Sequence, residues 1–122
     1  MSTKVFKVAV VGGRDFSDFE RICDDMDMIR ASQDFPSIVI VCGEARGADA
    51  LGRLYAESLG FEVESHPAEW DKFGKSAGYR RNVDMAISAD CVLAYWDGKS
   101  KGTKHMIDIV EKKSKKLYVR SY

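Results

Sequence analysis

Short apolar runs alternate with longer stretches of helical periodicity along the chain. Three runs are almost unbroken: Val8-Ala9-Val10-Val11, Ile38-Val39-Ile40-Val41-Cys42 and Cys91-Val92-Leu93-Ala94-Tyr95-Trp96. Strands covered on both faces read this way. Two runs are weaker. Phe61-Glu62-Val63-Glu64-Ser65 alternates, and Leu117-Tyr118-Val119-Arg120 is short and ends polar. The pattern predicts strands over residues 4–11, 37–42, 61–65, 91–96 and 116–120, with helices over 17–32, 48–59, 78–88 and 102–113. Ser17-Asp18-Phe19-Glu20 reads as a capping box opening the first helix, which stops before Pro36. Leu51, Leu54, Tyr55 and Leu59 define an apolar face on the second helix, and Gly60 ends it. Lys112, Lys113, Lys115 and Lys116 suit the negative end of the last helix dipole.

Strict strand–helix alternation predicts a three-layer α/β domain around a five-stranded, mainly parallel sheet. The unbroken strands one, two and four belong inside the sheet, and strands three and five at its edges. That favours the Rossmann-like order 3-2-1-4-5 over the flavodoxin-like 2-1-3-4-5, which would put the apolar second strand at an edge. Right-handed crossovers then place helices on both faces. A length of 122 residues fits one domain covering residues 1–122.

Each unbroken strand runs into a glycine-bearing loop of the phosphate-cradling type. These are Gly12-Gly13-Arg14-Asp15-Phe16, Gly43-Glu44-Ala45-Arg46-Gly47-Ala48-Asp49 and Asp97-Gly98-Lys99-Ser100-Lys101-Gly102-Thr103. In an open α/β sheet all three fall at the carboxyl edge, where ligands bind. Gly12 and Gly13 serve either a tight turn or close approach of backbone N–H groups to a ligand. Gly47 precedes one helix and Gly102-Thr103 opens another, so either N-terminus can take a phosphate; Thr103 also reads as a plain N-cap. Arg14, Arg46, Lys75, Arg80, Arg81, Lys101 and Lys104 all fall near loops or helix starts. Asp15 and Asp49 suit ribose hydroxyls or helix capping, and for Asp49 the cap is the first reading. Trp96, expected at the crevice mouth, stacks a base or closes the core. The segment 67–77 is read as a loop folding over the crevice as a lid, with Trp70 inward, Lys75 toward the ligand, and Gly74 and Gly78 as hinges.

The apolar runs are strand-length, so no membrane span is expected. Lys and Arg balance Asp and Glu at 19 each, which removes any global drive toward nucleic acid. Cys23, Cys42 and Cys91 are odd in number and widely spaced. They point to a reducing, cytoplasmic setting and to no metal site. No Ser-His-Asp pattern and no Walker loop is present. His66 reads as a satisfied loop residue. Asp97 and His105 are the candidates for acid–base work.

The loops, together with Pro67-Ala68-Glu69-Trp70, Gly74-Lys75-Ser76-Ala77-Gly78 and Arg81-Asn82, resemble the YpsA-related branch of the SLOG superfamily in order and over nearly the whole chain. The resemblance implies a Rossmann-like domain, bacterial or phage, that senses or processes a nucleotide or nucleotide-derived phosphate ligand. The candidate ligand contacts are Gly12, Gly13, Arg14, Gly47, Gly102 and Thr103 toward phosphate, Trp96 and Asp15 toward base or sugar, and Gly43, Arg46, Lys75, Arg81 and Gly98 beside them. Related phosphoribohydrolases of the Lonely Guy type carry Pro-Gly-Gly-x-Gly-Thr-x-x-Glu. Here Gly102-Thr103 survives, but Met106 stands where the catalytic glutamate would be. N-glycosidic hydrolysis through Asp97 or His105 is therefore an alternative to plain binding. A single-stranded nucleic-acid-binding or adaptor domain, or a homo-oligomer, is a further one.

Overall fold

The sheet builds outward from β1 (Val5–Gly12), whose residues alternate between two apolar layers. β1 pairs in parallel with β2 (Ser37–Cys42) on one side and β4 (Cys91–Trp96) on the other. β3 (Glu62–Ser65) adds to β2, and β5 (Lys116–Ser121) adds to β4, both parallel. The order is β3-β2-β1-β4-β5, as the apolar patterns require. The sheet is wholly rather than mainly parallel. The structure is a computed structural model and describes residues 5–32 and 37–122. Lys4, the expected start of the first strand, and Pro36, the expected stop signal beyond the first helix, lie outside the described residues.

Successive strand side chains point to opposite faces. Val8, Val10, Ile40, Leu93 and Tyr95 pack beneath α1 (Phe19–Ala31) and α2 (Ala48–Leu59). Ala9, Val11, Val41, Val92 and Ala94 pack beneath α4 (Ala77–Ser88) and α5 (Lys101–Lys112). The central strands are buried on both sides, while β3 and β5 keep partly exposed residues.

Four local expectations need correcting. α1 is capped by Asp18, not Ser17: the Asp18 carboxylate accepts from the Arg21 amide at 3.1 Å. A carboxylate there also meets the positive end of the helix dipole. The buried face of α2 is Ala48, Asp49, Gly52, Tyr55 and Ala56, while Leu54 and Leu59 are exposed. A Cβ on Gly52 would lie 2.7 Å from the Val10 Cβ, so the helix sits too close to β1 for large side chains on that face. α5 begins one residue early, capped by Ser100, whose hydroxyl accepts from the Thr103 amide at 3.4 Å. Residues 67–77 are not a structureless loop. They hold the short helix α3 (Trp70–Phe73) and a 3-10 turn (Gly74–Ser76), tied by Ser76 Oγ donating to the Phe73 carbonyl at 3.0 Å.

Candidate functional site

The loops after β1 and β2 are fastened to each other before any ligand is considered. The Gly13 amide donates to the Tyr95 carbonyl at 3.1 Å, and the Ala48 amide donates to the Gly13 carbonyl at 3.2 Å. Gly47 sits at φ 76, ψ −129, a region open to glycine alone. A Cβ there would lie 2.1 Å from the Gly13 carbonyl oxygen. The chain needs glycine at this point because the start of α2 presses on the backbone of the first loop.

The second loop is organised by Asp49. Its buried carboxylate accepts from the backbone amides of Gly43 and Ala45. Burial pushes its pKa up to about 6, against the pull of the Arg81 guanidinium and those amides. Arg81 reaches across from α4, with Nη1 donating to the Gly43 carbonyl at 2.9 Å. Its Nε is buried and has no hydrogen-bond partner among the described residues.

The third loop turns on Asp97. Its Oδ1 accepts from the amides of Lys99 and Ser100, each at 2.8 Å, and those bonds hold the carboxyl below its ordinary range. α5 therefore starts in a fixed direction. Asn82 Nδ2 donates to the Gly102 carbonyl at 3.1 Å and ties α4 to that start.

Between these loops lies a crevice of about 460 Å³, within the usual range of small-molecule sites. Of the sequence candidates it gathers Gly12, Gly13, Arg14, Asp15, Arg81, Asp97, Gly102 and Thr103. The polar residues Asn82 and Ser100 also line its wall although neither was a candidate contact, and Asp49, which the sequence offers for ribose hydroxyls or capping, joins them there. Asn82 carried a usable signal, being a polar residue on the face of α4 that also buries Met85 and Ala86. Nothing in the sequence singled out Ser100.

Three cations near the rim have no carboxylate partner among the described residues. Among the described residues, Arg14, Arg46 and Lys75 have no ion-pair partner, whereas Arg53 is held by Glu44 and Glu57 and Lys104 by Asp108. Asp15 is engaged by the Tyr122 hydroxyl, which donates to its Oδ1 at 2.5 Å. Phe16 stacks on Tyr95 at 4.2 Å and meets the Tyr122 ring edge-on at 5.0 Å, bracing the first loop from behind.

Other candidates lie elsewhere. Gly43 and Arg46 line a neighbouring hollow, and Gly47 is a spacer between loops. Trp96 does not face the crevice mouth. It lies on the same face of the sheet as Val11 and Met106 but on the other side of the start of α5, where Nε1 donates to the Ser100 carbonyl at 3.1 Å. It shares a shallow hollow with Gly98 and His105 on the far side of α5. His105 Nδ1 lies 3.3 Å from Asn82 Nδ2, its ring meets Tyr79 edge-on, and burial lowers its pKa. Trp70 is not packed inward: it is 53% exposed and stands at the rim. Lys75 borders a small hollow beside it. His66 Nε2 lies 2.7 Å from Glu64 Oε2, well away from the crevice. Among the described residues no three His, Cys, Asp or Glu side chains gather to hold a metal ion. None of the described helices is long and apolar enough to cross a membrane.

Fold and crevice together define a Rossmann-like α/β protein with a polar, cation-rimmed cleft at the carboxyl edge of its sheet. The sequence model of the YspA, cpYpsA-related SLOG family matches residues 6–73, and the chain belongs to that family. It is similar to the Gene 61 protein of Mycobacterium phage D29, with 35% identity over 113 residues, covering 87% of this chain and 89% of the phage protein. No solved structure matches.

Proposed function

We propose that this protein binds a nucleotide or nucleotide-derived phosphate ligand in the crevice. One observation carries the reading: the unpaired Arg14 guanidinium, Arg81 and the first turn of α5 at Gly102-Thr103 converge on one cleft. First-turn amides of a helix have no intrahelical acceptor, and the dipole there favours negative charge. Ser100 takes the Thr103 amide, leaving those of Lys101 and Gly102 for a phosphate. The carboxylates of Asp15 and Asp97, in the same wall, suit sugar hydroxyls. Three unpaired thiols fit a cytoplasmic setting.

The placement of the acid–base candidates favours binding over hydrolysis. Asp97 commits its Oδ1 to the amides of Lys99 and Ser100, which gives it a role in holding the loop. His105 opens onto the other side of α5.

Titration calorimetry of nucleoside mono- and diphosphates against the wild type, Arg14→Ala and a Lys112→Ala control tests the reading. A charged hydrogen bond contributes about 1.5–3 kcal/mol, so Arg14→Ala should weaken binding by roughly 10- to 100-fold while the control is unchanged. Absence of binding by every nucleotide, with the protein folded, would overturn it.

A further inference from the structure

α4 carries large apolar side chains on its outer face. Its buried positions are Ala77, Asn82, Met85 and Ala86. Its solvent side holds Tyr79 at 44% exposure, Val83 at 37% and Ile87 at 59%. Spacings of four residues set these side chains on one ridge, running about 12 Å along the helix. A helix lying on a sheet ordinarily turns a polar face to solvent. Elsewhere the exposed apolar side chains are scattered. Leu54 and Leu59 on α2 are five apart and share no ridge, and Val5 and Val119 stand on different strands. Single exposed apolar residues are ordinary, whereas an aligned row of them marks a contact face.

The charges beside the ridge identify what covers it. Tyr79 meets the His105 ring of α5 edge-on, so that flank of the ridge belongs to α5. Arg80 and Asp84 lie one turn apart on the opposite flank, and both are exposed. They do not pair with each other. Arg80 Nε donates to Ser76 Oγ at 3.2 Å, and its guanidinium lies over the Phe73 ring at 4.3 Å. Asp84 has no ion-pair partner among the described residues. On the α5 flank, Lys104 and Asp108 neutralise each other at 2.5 Å. An apolar ridge flanked by an arginine and, one turn on, an unpaired carboxylate is complementary to itself. We propose that α4 is the contact face of a two-fold homodimer, with the α4 helices of two copies packed antiparallel about an axis at the level of Asn82 and Val83. Like flanks of two helices meet in an antiparallel pair, so Arg80 of each copy faces Asp84 of the other. Tyr79 of each packs toward Ile87 of the other, and the two Val83 side chains meet near the axis. A two-fold contact makes each of these pairings twice.

Sedimentation velocity of the full chain over roughly 5–500 µM, the range suited to a contact this small, tests the proposal. The wild type should pass from monomer to dimer as concentration rises. Val83→Glu should stay monomeric, because two carboxylates would then face each other inside an apolar contact. Arg80→Asp and Asp84→Arg should each weaken association by roughly tenfold or more, since each sets like charges opposite one another. Mixed in equal amounts, these two variants should associate again, because acid then faces base at both positions. All three substituted side chains are exposed, and thermal melts check that each variant is folded. A wild type that stays monomeric at the highest concentration would overturn the proposal. So would a dimer indifferent to Val83→Glu, or charge-reversed variants that fail to associate on mixing.

Discussion

Replacing Gly47 by alanine should be far more damaging than replacing another positive-φ glycine of the same helix. At φ 76, ψ −129 Gly47 lies outside the left-handed well that other residues tolerate, and the strain for alanine is about 1–3 kcal/mol. The new Cβ would stand 2.1 Å from the Gly13 carbonyl oxygen and 2.7 Å from the Arg14 Cα. Both are backbone atoms and cannot rotate aside. Relief requires the first loop to part from α2, breaking the Ala48–Gly13 hydrogen bond, with a further cost of roughly 1–3 kcal/mol for a buried donor left unpaired. The sum is about 2–6 kcal/mol, centred near 4, a large share of the 5–15 kcal/mol typical of a domain. Gly60, at the other end of α2, has φ 75, ψ 24 and nothing within 4 Å of its Cβ direction. Alanine there bears only the left-handed penalty, about 1–2 kcal/mol. Urea denaturation of both variants measures the difference, and thermal melts should show a gap on the order of 10 °C. Equal destabilisation of the two, within about 1 kcal/mol at the error of the extrapolation, would refute the view that Gly47 locks the first two loops together.

Two further outcomes follow from burial. Asp49 titrates near 6 in the fold against an ordinary 3.8, so its contribution to stability is greatest below pH 4 and is lost as pH rises through 6. The stability of the wild type minus that of Asp49→Asn should fall by roughly 2 kcal/mol between pH 4 and 7.5; a flat difference would contradict the burial of this carboxylate. Burial pushes the thiols of Cys42 and Cys91 up to about 11 and about 12, while Cys23 is only partly covered. Iodoacetamide at pH 8 followed by mass spectrometry should modify Cys23 alone in the native protein and all three cysteines in denaturant. Cys42 labelling at the rate of Cys23 would show that β2 is not buried as described.

Sheet order was legible because burial on both faces leaves an unbroken apolar run, and β1, β2 and β4 each have one. The crevice loops were legible because glycine after such a strand has few other uses. Contacts set by tertiary geometry were not. Leu54 and Leu59 misled because hydrophobicity does not register how closely Gly52 lets α2 approach Val10. Trp96 misled because the start of α5 stands between it and the crevice, which no local pattern shows. Asp49 looked like a cap, since nothing local shows that its carboxylate turns back to gather the amides of Gly43 and Ala45. The helix between Trp70 and Phe73 is too short to leave a periodic trace.

The most direct test of the central claim is a crystal structure of the protein grown with ADP. Phosphate density bridging Arg14, Arg81 and the first turn of α5 is the predicted result. Phosphate density in the hollow beside Trp96 and His105, with the crevice holding only water, would contradict it.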